Sequence, residues 1–241
     1  MGLRLTLALS LLSGATQLVV FWRLYALGLV LRYWYFSLYV LCGAFQCTGW
    51  LMGPRDSNPY AAFWLFTTPV MIGLRVAVVA ELWNLFRSQY NGNRVSRRIA
   101  LGAVILAVVI SLATGIDLWR VGWHPTVFRL FSLAIRYSAS TLAILCALVT
   151  WAGHASGRAL PANLVRHAFL LTGYFTSLAA GHLVAHLSDG DNVIAGLIMS
   201  ISAVAVFSLW PILLTRDGES VIARGGDDPP IHGAVSDLGR R

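Results

Sequence analysis

The chain has 241 residues, of which 57% are hydrophobic and only 12% charged, with a mean hydropathy of +0.70. A water-facing domain carries about 25% charged residues, so a soluble, disordered or disulfide-stapled protein is excluded and an integral membrane protein is expected. All 18 basic residues are arginine and the formal charge is +8; the lack of lysine excludes Schiff-base and Walker-type chemistry.

A spanning helix needs about 20 mostly apolar residues, and seven runs qualify: Leu5–Trp22 (reaching towards Leu31), Tyr33–Gly53, Tyr60–Phe86, Ile99–Asp117, Pro125–Thr150, Leu164–Leu187 and Val193–Leu214. The first, with Arg4, Leu5–Leu12 and Ser13-Gly14-Ala15, also has the make-up of a cleavable signal peptide; it is read here as a retained helix. The second holds Cys42 and Cys47, five apart on different sides of a helix, which reads as packing rather than as a disulfide. The third holds Thr67-Thr68-Pro69, a kink-capable step whose freed carbonyl a threonine hydroxyl can satisfy. Connections carry turn chemistry, such as Asn91-Gly92-Asn93 and Ser188-Asp189-Gly190-Asp191-Asn192. Residues 1–215 thus form one transmembrane domain, and 216–241, rich in Gly, Asp and Pro, a polar flexible tail.

Arginine placement sets the expected orientation. Twelve arginines flank the ends after the first, third, fifth and seventh runs, against four (Arg4, Arg55, Arg120, Arg129) on the other side. The positive-inside rule places the amino terminus outside and the carboxyl terminus in the cytoplasm of a bacterial plasma membrane. This distribution also favours the bilayer over nucleic acid as the partner of the basic residues.

Ionisable groups within a bilayer are the first functional suspects. Arg75 and Arg136 lie near the middle of the third and fifth runs, which run in the same direction, so both fall near one depth. They suit an anion or ligand site, bonds to backbone carbonyls, Ser132 or Ser140, or an acid from a partner subunit. Glu81 lies six residues beyond Arg75, about 9 Å further along and rotated off its face. A structural pair with Arg87 is preferred over a proton-carrying role. His182 and His186 share a face of the sixth run and have the spacing of metal ligands, or of axial ligands for haem or chlorophyll, although no HExxH pattern is present. His154 and His167 form a weaker pair. Gly173, Ser177, Gly181 and Ala185 make a small-residue row on the same run, suited to close helix packing.

Trp64-Leu65-Phe66-Thr67-Thr68-Pro69 resembles the third-helix signature of microbial rhodopsins. In that family an acid precedes the tryptophan and another follows ten residues later; here Phe63 and Leu74 stand there, and Val204 takes the place of the retinal lysine. A retinal Schiff base is excluded. The whole chain is also similar in layout to seven-helix bacterial membrane proteins of about this length, a group without assigned activity, through Trp64, Thr68, Pro69 and Glu81-Leu82. That resemblance implies the fold.

The expected protein is all-α, a seven-helix transmembrane bundle. Its expected role is a non-enzymatic accessory subunit or receptor-like module acting through helix contacts, with a membrane-protein partner. The alternatives are an ion, proton or anion translocator using Arg75, Glu81 and Arg136, and a haem, chlorophyll or metal subunit using His182 and His186.

Overall fold

The computed structural model describes residues 2–52, 58–88, 127–155, 160–187 and 193–219. All regular structure among them is helical: α1 (Gly2–Ala26), α2 (Trp34–Cys47), α3 (Asn58–Ser88), α4 (Val127–Ala155), α5 (Ala162–Leu187) and α6 (Val193–Leu213), with 3-10 turns at Thr48–Met52 and Asp217–Glu219. The fourth apolar run, 99–117, lies outside the described residues, so six of the expected helices are seen.

Four segments are long and apolar enough to cross a bilayer: Leu7–Ala26, Ala62–Ser88, Ala162–Ala185 and Ile194–Leu213. Their shortest length, 20 residues, is about 30 Å of helix, the thickness of the hydrocarbon core. Large apolar side chains point away from the bundle on every helix, among them Leu18, Phe45, Phe66, Ile144, Phe169 and Ile212. An apolar exterior of that extent belongs in lipid. The protein is membrane-embedded.

Several boundaries have local causes. Helix α1 stops at Ala26, short of Leu31, because Gly28 takes a left-handed conformation (φ 72°). The Leu29 N–H then bonds the Leu24 carbonyl at 2.8 Å and the Gly28 N–H the Tyr25 carbonyl at 3.0 Å, the paired closure typical of a glycine-terminated helix. Helix α2 has only 14 residues, about 21 Å. The five-residue turn Thr48–Met52 adds about 10 Å at the steeper 3-10 rise, bringing the segment to bilayer thickness. Gly49 permits this turn to press on α3, since a Cβ there would strike the Phe63 ring. In α3, Pro69 withholds an N–H from the Leu65 carbonyl. The Thr67 hydroxyl does not answer that carbonyl; it donates to Phe63 O at 2.8 Å and accepts from Gln46 Nε2 at 3.2 Å, tying α3 to α2.

The described helices form a ring in chain order, each packed on the next described helix and α6 returning to α1. Close approach between α1 and α2 depends on Gly14 and Gly43. A Cβ on Gly14 would lie 3.1 Å from Cys47 Cβ and 3.4 Å from the Ala44 carbonyl, and one on Gly43 would meet the Gln17 amide. Between α5 and α6 the tight point is Gly181, where a Cβ would meet Met199. Gly173, further along the expected small-residue row, is exposed and would meet no described atom within 4 Å. Close packing along the row is therefore concentrated at Gly181, because Gly173 turns off the α6-facing side.

The interior is divided along its length. Towards the end where α1 finishes and α2 begins, Phe36, Phe86, Phe175, Phe207 and Trp210 are fully buried in one packed cluster. Towards the opposite end, the buried side chains include Ser13, Gln17, Thr68 and Arg75.

Candidate ligand-binding cavity

The other half of the ring holds an open cavity of about 280 Å³ to which all six described helices contribute. Helix α1 supplies Ser10, Ser13 and Gln17; α2 supplies Tyr39, Gln46 and Cys47; α3 supplies Trp64, Thr68 and Arg75. The far wall is Ile135 of α4, Tyr174, Leu178 and His182 of α5, and Met199, Ser200 and Ala203 of α6. An engineered apolar cavity of about 150 Å³ holds benzene, so this one admits a molecule of about a dozen heavy atoms.

Arg75 is the charged centre. Its side chain is 6% exposed, and neither Nε nor Nη1 has a hydrogen-bond partner among the described residues. The hydroxyls of Tyr39 and Tyr174 lie in electrostatic contact with the guanidinium; Tyr39 donates to Tyr174 at 2.9 Å, so the pair is locked together beneath it. Tyr174 in turn packs on Phe207, with ring centroids 5.2 Å apart, at the top of the aromatic layer. The indole Nε1 of Trp64 is also buried, with no acceptor among the described residues. Gln17 bridges α1 and α2 through weak contacts with Ser13 Oγ at 3.3 Å and Cys47 Sγ at 3.9 Å. Among the described residues the lining holds no carboxylate.

Arg75 and His182, expected to belong to two different sites, both line this cavity. Arg136 is buried on α4 at 8% exposure, outside the lining, yet His182 lies within electrostatic reach of both arginines. Ser140, one expected partner of Arg136, donates its hydroxyl to the Arg136 backbone carbonyl at 2.9 Å. Glu81 is elsewhere. Its carboxylate accepts the backbone N–H groups of Tyr35 at 3.0 Å and Phe36 at 3.2 Å, in the first turn of α2. Tyr33, which precedes that helix, makes no side-chain cap, so an acid from α3 performs the capping that a local Ser or Asp usually does. The expected Glu81–Arg87 pair is thus replaced by a helix cap, and Arg87 is exposed.

The His186 and His154 side chains lie outside the described residues. No three His, Cys, Asp or Glu side chains come together as a metal site among those described. His167 belongs to the aromatic layer: its Nδ1 accepts from Trp210 Nε1 at 3.2 Å, and Phe36 meets its ring edge-on at 4.3 Å. No protein-family model, curated protein or solved structure matches the chain.

Beyond the aromatic layer lies a polar clasp that sequence reasoning missed. Glu219, in the segment counted as tail, pairs with Arg32 at 2.6 Å and accepts from Tyr33 Oη at 2.9 Å and Asn163 Nδ2 at 2.7 Å. Asn163 also donates to Thr215 O at 2.6 Å and accepts the Thr215 N–H at 3.2 Å. Arg166 and Arg23 donate to the carbonyls of Leu213 and Leu214 at 2.6 and 3.5 Å, satisfying groups that the end of α6 leaves open. Some arginines read as topology signals are therefore helix caps as well.

Proposed function

We propose that the chain is a seven-helix protein of the bacterial plasma membrane, amino terminus outside, working as a receptor-like, non-enzymatic module that takes up a small molecule in the cavity beside Arg75. The observation that carries this reading is the unequal filling of the ring. One half holds a largely apolar cavity with the Arg75 guanidinium in its wall, and the other is packed with aromatic side chains and fastened by the Glu219 clasp. A cavity of that kind suits ligand capture. Translocation requires a path onward past Tyr39 and Tyr174, where the described core is filled by Phe36, Phe207 and Trp210.

The test is ligand-induced stabilisation of the purified chain by a panel of small acids, amines and neutral aromatics. Ala203→Phe, which puts a ring into the cavity, abolishes the shift given by any compound that stabilises the wild type. A panel in which no compound stabilises the wild type more than Ala203→Phe refutes the reading. Topology is checked separately by placing a single cysteine in the Asn91–Arg98 turn of a cysteine-free variant. Labelling of intact cells with an impermeant maleimide leaves it unmodified; modification would invert the orientation.

A further inference from the structure

The cavity shows a one-sided imbalance of hydrogen-bonding groups. Among the described residues, Arg75 Nε, Arg75 Nη1 and Trp64 Nε1 are buried donors without acceptors. The two glutamates that could neutralise a cation from within the described bundle are committed elsewhere, Glu81 to the start of α2 and Glu219 to the clasp. Unpaired buried donors and an uncompensated buried charge are costly to keep, and both costs are offset by one type of guest, an oxyanion. The walls around Arg75 are apolar, from Met71, Leu178, Met199 and Ala203, which suits a charged head on an apolar body better than a bare inorganic anion.

We infer that the cavity binds a small organic oxyanion such as a carboxylate or a phosphate ester, its oxygens taken by the Arg75 guanidinium and its apolar body laid against Leu178 and Met199. The inference rests on the ligand-cavity reading above and adds the chemical class. The same chemistry is offered by a soluble organic acid and by the anionic headgroup of a membrane lipid. Tyr39 and Tyr174 act as positioning residues, holding the guanidinium from below through their mutual hydrogen bond.

The experiment is calorimetric titration of the full chain in phosphatidylcholine nanodiscs with benzoate and with its neutral isostere benzamide. Benzoate binds at least about tenfold more tightly, as expected where a charged hydrogen-bonding partner is gained. Arg75→Gln removes that preference and Arg75→Lys retains part of it. Should Arg75→Gln fail to fold, the wild-type ratio and Arg75→Lys decide. Including phosphatidylglycerol separates the sources: competition with benzoate assigns the site to a lipid headgroup, and unchanged affinity assigns it to a soluble acid. Equal binding of the two probes overturns the oxyanion assignment and leaves the ligand cavity standing. Binding of neither, with wild type and Ala203→Phe indistinguishable, overturns both.

Discussion

Replacing Glu81 by alanine deletes the acceptor of two backbone N–H groups at the start of α2. An ordinary N-cap is worth about 0.5–2 kcal/mol, and a charged acceptor at a helix start adds about 0.3–1 kcal/mol through the helix dipole. Here one carboxylate takes two amides, and it joins α3 to α2 at a point well away from their Gln46–Thr67 hydrogen bond. The expected loss for Glu81→Ala is therefore about 2–3 kcal/mol. Glu81→Gln keeps one oxygen acceptor but not the charge, and should lose about 1 kcal/mol. Arg87→Ala, at an exposed position, should stay within about 0.5 kcal/mol of wild type. Reversible SDS unfolding of the micelle-bound chain, followed by circular dichroism, gives all three values. If Arg87→Ala were as costly as Glu81→Ala, or if Glu81→Ala were neutral, the capping argument would be wrong and an ion pair or a mobile proton carrier would replace it.

Three further outcomes are expected. Glu219→Ala removes the contacts with Arg32, Tyr33 and Asn163; since Arg32 is 38% exposed, that ion pair adds little, and the loss is about 1–2 kcal/mol, mostly from the buried polar partners. Limited proteolysis should then cleave near Arg216 faster than in wild type. Gly181→Leu, which drives a side chain into Met199 and the Ala195 carbonyl, should cost about 1–3 kcal/mol or more, whereas Gly173→Ala, facing no described atom, should leave the melting temperature unchanged or slightly higher. Trp210→Phe leaves the buried Nδ1 of His167 without its donor and should destabilise by about 1–3 kcal/mol, measured in the same unfolding assay.

The helical class and most helix positions were legible because length and apolarity alone determine what can cross lipid. The end of α1 was legible too, in Gly28, but the apolar Leu27–Leu31 stretch hid it, since hydropathy does not register backbone handedness. Arg75 stood out in the sequence as a mid-run cation, and so did His182. Their meeting on one cavity was not legible, because that depends on how far each helix is rotated within the ring. Glu81 was identifiable as a buried acid, yet its partners are backbone amides of α2, which carry no letter in the sequence. The clasp escaped notice for a related reason. Glu219, Asn163 and Tyr33 are separated by dozens of residues, and a Gly- and Asp-rich segment beginning at Arg216 resembles a tail by composition even where its first turn is docked.

Capping in trans has a bearing on biogenesis. The start of α2 leaves the ribosome 45 and more residues ahead of Glu81, as the spacing of the two bonds records. Until α3 enters the bilayer, the exposed amides of Tyr35 and Phe36 must be served by water or lipid headgroups. Helices α2 and α3 therefore mature as a hairpin, and a truncation ending before Glu81 should leave the first turn of α2 frayed.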